Sequence, residues 1–127
     1  MIQKFNAFDD SLPWRSSAYH VATRYKELES GAGLRIHYVE VEVGGRILPH
    51  APKRTEFFFI LDGEGSVSLD AEESPCHAGD CFLAPSDRVR GVVNKGTSPL
   101  RLLLIQPHDQ SWGLLSAIPL LRRLVRD

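Results

Sequence analysis

GGRILPHAPKRTEFFFILDG, residues 44–63, is the stretch from which the fold can be read. It sets His50 and Glu56 on either side of a proline-containing bend, then enters an apolar run closed by Asp62 and Gly63. Residues 56–61 predict a strand, an apolar run that resumes after Pro49 and Pro52 interrupt the ladder. Successive side chains of a strand face opposite sides, so Glu56, Phe58 and Ile60 share one face and Phe57, Phe59 and Leu61 the other. Both faces are apolar and both need cover. A second stretch, GDCFLAPSDRVRGVVN at 79–94, has the same build: a Gly-Asp turn, a short apolar strand, a proline break and a polar return.

Outward from this pair the chain continues as short strands between turns. Residues 34–43 alternate, with His37, Val39, Val41 and Val43 predicted inward, and Gly44-Gly45 is expected to end that strand. Residues 17–28 predict another strand, with Tyr19, Val21, Thr23 and Tyr25 on one parity. Residues 66–70, 81–84, 89–93 and 100–106 complete the set, and residues 1–16 are expected as a loop or edge strand with Trp14 as a lid over apolar surface. This is an all-β pattern, a sandwich or closed barrel. The tail differs. Leu114, Leu115, Ile118, Leu121, Leu124 and Val125 recur at helical spacing, which predicts an amphipathic helix over 111–127.

Composition narrows the classes. A chain of 127 residues with formal charge −1 is one domain, 1–127, without the basic footprint of a nucleic-acid binder. No apolar run nears the roughly 18 residues of a membrane span, so the expectation is a cytoplasmic protein without a membrane partner. Cys76 and Cys81 are expected as reduced thiols, a hairpin disulfide being the minor alternative.

The two stretches resemble the paired motifs of the cupin family. Its first motif, G-x5-H-x-H-x3-4-E-x6-G, is matched by Gly44, His50, Glu56 and Gly63; its second, G-x5-P-x-G-x2-H-x3-N, by Gly79, Pro85 and Asn94. The resemblance implies a double-stranded β-helix, or jelly-roll, barrel over about 17–107 with the C-terminal helix outside it. It also implies a metal held by three histidines and a glutamate, and here the chain departs. Pro52 stands at the second histidine position, Arg90 at the last, and Asp87 at the second motif's inner glycine.

Two remaining ligands rarely suffice for a transition metal, and a guanidinium offers only donors. The expectation is therefore an eroded site in which Arg90 either pairs with Glu56 or anchors an anion. His50, Glu56, Arg90 and Phe58 are the expected ligand-binding residues, for a small and anionic molecule. The alternative is a metal-dependent cupin enzyme, of dioxygenase or isomerase type, in which His37 joins His50 and Glu56 around a divalent ion. Metal-free acid–base catalysis by His50 and Glu56 is a further option. The apolar outer face of Phe57, Phe59 and Leu61 predicts a homodimer.

Overall fold

The computed structural model describes residues 2–31 and 33–107. His108 and the helix expected at 111–127 lie outside the described residues. Within them the chain is all β: β1 (His20–Glu29), β2 (Leu34–His50), β3 (Glu56–Asp62), β4 (Glu64–Leu69), β5 (Glu72–His77), β6 (Cys81–Ala84), β7 (Arg90–Asn94) and β8 (Leu100–Pro107). They form one sheet in the order β5-β4-β7-β2-β8-β3-β6, with β1 paired to β2 beside this path. Its two outermost strands, β5 and β6, are neighbours in sequence, joined by the turn after His77. That turn is bonded to β3, Gly79 N–H donating to Ile60 O and Asp80 O accepting from Ile60 N–H. The sheet has thus curled until its ends approach.

The interior is apolar. Val39, Val41, Ile60, Val92, Leu100 and Leu102 are buried, and Phe58 stacks on Phe82 at 4.4 Å between centroids. A fully buried aliphatic or aromatic side chain of this kind contributes about 1.5–3 kcal/mol. Cys76 is buried and Cys81 exposed, both as free thiols. No helix among the described residues is long and apolar enough to cross a membrane.

Two expectations about the second strand need correction. Gly44 and Gly45 do not end it; β2 runs on to His50, and its partner on one side changes from β8 to β7. At the change, Val41 lies opposite Thr23 and Arg46 opposite Val21, so residues 42–45 bulge past a single residue, Ala22. Gly44 takes φ 79° and Ala22 φ 47°. A Cβ at Gly45 would stand 2.7 Å from the Ala22 carbonyl oxygen, an approach only glycine permits. Val43, on the bulge, is 55% exposed rather than inward.

The opposite parity is also covered. Phe8 and Trp14 lie 5.8 and 6.1 Å from the Tyr38 ring, while the Arg24 guanidinium sits 3.7 Å over Trp14. Lys26 Nζ donates to Asp9 O at 3.0 Å, tying the N-terminal segment to β1. Tyr38, buried, donates to Glu40 at 2.8 Å. Burial and this bond to a carboxylate together push its hydroxyl well above the ordinary tyrosine range.

Candidate functional site

The two proline bends of the sequence motifs meet and lock. Asp87 N–H donates to Pro52 O at 2.9 Å, and Ser86 N–H donates to Thr55 Oγ1 at 3.3 Å. Asp87 stands where the family pattern has glycine, and it takes φ 67°, the left-handed conformation that aspartate tolerates better than most residues. Asn94, the motif's last residue, is structural: its amide donates to Val41 O and Ser98 O, each at 2.9 Å.

Arg90 opens β7 directly opposite His50 of β2. Its side chain is fully buried, and that of Glu56 is 4% exposed; Nη1 donates to Glu56 Oε1 at 2.9 Å. Nη1 also donates to Arg54 O at 3.2 Å, Nε to Arg88 O at 3.0 Å, and Nη2 to Arg88 O at 2.9 Å and to Pro85 O. A guanidinium has five N–H donors, and these bonds engage all of them. The other Glu56 oxygen, Oε2, accepts from Gln106 Nε2, and Gln106 Oε1 accepts from Arg54 at 3.3 Å. A buried carboxylate and guanidinium are costly singly and tolerable when fully hydrogen-bonded, as here.

Beside this network, between β1, β2, β3 and β8, lies a cavity of about 140 Å³. Val39, Ile47, Phe58 and Leu104 supply apolar lining; Ser17, His20, Tyr25, His37, His50, Glu56 and Gln106 also line it. Of the residues expected at a site, His50, Glu56, His37 and Phe58 therefore come together on one cavity. Arg90 does not line it, standing behind Glu56.

Each imidazole is set against a tyrosine. His50 stacks on Tyr19 with centroids 4.2 Å apart and planes 9° from parallel, and its Nδ1 lies 2.9 Å from Leu48 O. His37 stacks on Tyr25 at 4.5 Å, and His20 meets the same Tyr25 ring edge-on at 5.7 Å. Burial lowers the pKa of both His20 and His37, by withdrawing the charged form from water. His20 Nδ1 is buried without a hydrogen-bond partner among the described residues.

His20 and Tyr25 escape a reading based on alternation, and the bulge explains why. They have opposite parity in the sequence, yet both face the cavity because the register shifts between Val21 and Thr23. A single extra residue flips every later side chain to the other face. The doubled glycine at 44–45 was the available signal for such an irregularity. Gln106 belonged to the last strand but carried no motif position.

The metal set that the family pattern implies does not fit these residues. Both Glu56 oxygens are engaged, a guanidinium occupies the fourth ligand's position, and among the described residues no three histidine, cysteine, aspartate or glutamate side chains come together as an ion would need.

A curled antiparallel sheet with two interlocked motif bends and a cavity between its strands defines a small β-barrel of the jelly-roll kind. A sequence model of the cupin domain matches residues 37–106, and the chain belongs to the cupin family. An uncharacterised protein of Methanocaldococcus jannaschii is 33% identical over 64 residues, which cover 50% of this chain and 51% of that protein; the chain thus spans about half the length of this curated relative. Among solved structures, a predicted oxalate decarboxylase from Thermotoga maritima superposes with TM-score 0.72 at 17% identity, covering 84% of this chain and 99% of that one. The polyketide cyclase RemF from Streptomyces resistomycificus gives TM-score 0.72 at 18% identity, covering 84% and 80%. Identities this low carry the fold and not the activity.

Proposed function

We propose that this cupin binds a small molecule in the cavity between β1, β2, β3 and β8, with no metal at the motif positions. The observation that carries the reading is the Arg90–Glu56 pair. It engages the carboxylate that a metal would require, while leaving beside it a cavity lined by imidazoles and apolar side chains. The sequence-based preference for an anion rested on Arg90 facing the cavity, and with all five of its donors engaged elsewhere that cation is not on offer.

Elemental analysis of protein purified without chelator, alongside His50→Ala, tests the reading. It expects no stoichiometric metal in either. Near-stoichiometric iron, manganese, nickel or zinc that disappears in His50→Ala would overturn it in favour of a metal-dependent enzyme using His50, Glu56 and His37. Arg90→His, which removes the guanidinium and adds a ligand, is expected to raise divalent-ion affinity; equal affinity in the variant and the parent would refute the role given to Arg90.

The same reading includes a homodimer formed through the outer face of β3. Phe59 and Leu61 are 38% and 41% exposed there, and Phe59 lies between Leu103 of β8 and Cys81 of β6. Covering such a patch removes apolar surface from water. Sedimentation equilibrium is expected to give twice the chain mass and to revert to one with Phe59→Lys; a monomeric parent would sink the idea.

A further inference from the structure

We propose that the cavity receives a small uncharged molecule bearing a hydroxyl on an apolar body about the size of one six-membered ring, with Nε2 of His50 accepting that hydroxyl's hydrogen. This deepens the reading of the cavity as a small-molecule site and rests on it.

The first ground is the tautomer of His50. Leu48 O can only accept, so the Nδ1 that lies 2.9 Å from it carries the hydrogen. In the neutral ring the other nitrogen is then a lone pair, and the stack on Tyr19 fixes the ring plane. A ligand meeting that nitrogen must bring a donor. Ketones, ethers and carboxylates bring none.

The second ground is His20. Its buried Nδ1 has no partner among the described residues, and His20 lines the same cavity as His50. An imidazole nitrogen without a fixed partner serves as donor or acceptor according to its tautomer. A hydroxyl has both roles, so one such group can satisfy the two rings together.

The third is charge and size. Arg90 is saturated, and the ion pair it makes neutralises Glu56. Burial holds His20 and His37 toward their neutral forms, so neither is a ready counter-charge for an anion. A volume of about 140 Å³ matches the roughly 150 Å³ of an apolar cavity that accommodates benzene, and Val39, Ile47, Phe58 and Leu104 supply apolar lining.

The experiment titrates the full chain at pH 7.5 with phenol, anisole and benzoate, following binding by calorimetry. Phenol is expected to bind at least about tenfold tighter than anisole, the scale of one hydrogen bond to a buried group, and tighter than benzoate. His50→Phe keeps a ring against Tyr19 and should bring the phenol-to-anisole ratio to about one; a ratio unchanged in that variant overturns the assignment to His50. Should the variant not fold, imidazole nitrogen NMR of the parent decides: an unprotonated Nε2 whose resonance moves on adding phenol supports the proposal, and a protonated Nε2 overturns it. Equal affinity for phenol and anisole defeats the inference and leaves the cavity a binding site. Benzoate as the tightest probe, or none of the three binding, also defeats it, while the broader reading falls only if the metal analysis finds a stoichiometric ion.

Discussion

Two neighbouring parts of this barrel treat buried polar groups in opposite ways. Around Arg90 and Glu56 all five guanidinium donors and both carboxylate oxygens have partners, drawn from the two proline bends and from β8. His50 and His37 stack on Tyr19 and Tyr25, His20 meets Tyr25 edge-on, and all three residues line a cavity. A guanidinium with all five donors bonded has none left to offer a ligand. Rings positioned by their faces keep their edges available. This chain uses its motif charges for structure, and the recognition chemistry proposed for it falls on histidines, two of which, His20 and His37, lie outside the motifs.

The largest expected effect breaks the saturated part. Glu56→Ala leaves the Arg90 charge buried and unpaired, and urea unfolding should show a loss of about 3–5 kcal/mol. The double variant Glu56→Leu with Arg90→Met, which removes both charges, should recover most of that loss; a double variant as unstable as the single would show that the charges themselves are needed. Next comes the bulge that brings His20 to the cavity. Gly45→Ala puts a Cβ against the Ala22 carbonyl and should cost about 1–3 kcal/mol. It should also weaken phenol binding by displacing His20, and unchanged binding would separate the bulge from the site.

Acid distinguishes the two parts in a subtler way. His20 and His37 have folded pKa values below the ordinary histidine value of 6.5, so the unfolded chain takes up protons first as pH falls. Their contribution to stability is present above pH 6.5 and is lost as pH drops through the folded values. Urea midpoints measured from pH 7.5 down to 5.5 should decline, and His20→Gln with His37→Gln should flatten that decline. The smallest effect is expected at the stack itself. Tyr19→Ala should cost about 0.5–1.5 kcal/mol, and Tyr19→Phe close to nothing, because it is the ring face that His50 meets.

Much of this was legible from residue order alone. The positions of His50, Glu56, Pro85 and Asn94 marked two like hairpins, and the strand at residues 56–61 had its faces assigned correctly, with Glu56, Phe58 and Ile60 buried. The pairing of Arg90 with Glu56 was one of two options left open by charge and burial, and only three-dimensional proximity could choose. What alternation missed was the insertion at residues 42–45. A local change of φ at Gly44 and Ala22 leaves no periodic trace, yet it sends Val43 outward and turns His20 in. Nor does spacing reveal stacking: Tyr19 and His50 are far apart in sequence, and nothing in their own neighbourhoods ties them. The helix expected at 111–127 falls outside the described residues.

The last strand among the described residues is not at the margin of the sheet. β8 sits between β2 and β3, with residues 34–41 on one side and 57–62 on the other. During synthesis, two blocks of the barrel therefore wait without their common neighbour until residue 107 has left the ribosome, and the long-range ladders close late. A nascent chain halted at Asn94 carries both sequence motifs but lacks the strand that joins them, and it exposes the apolar faces on either side of the gap. The motifs supply the interlocked bends and the buried ion pair, whereas assembly depends on a strand that lies beyond them.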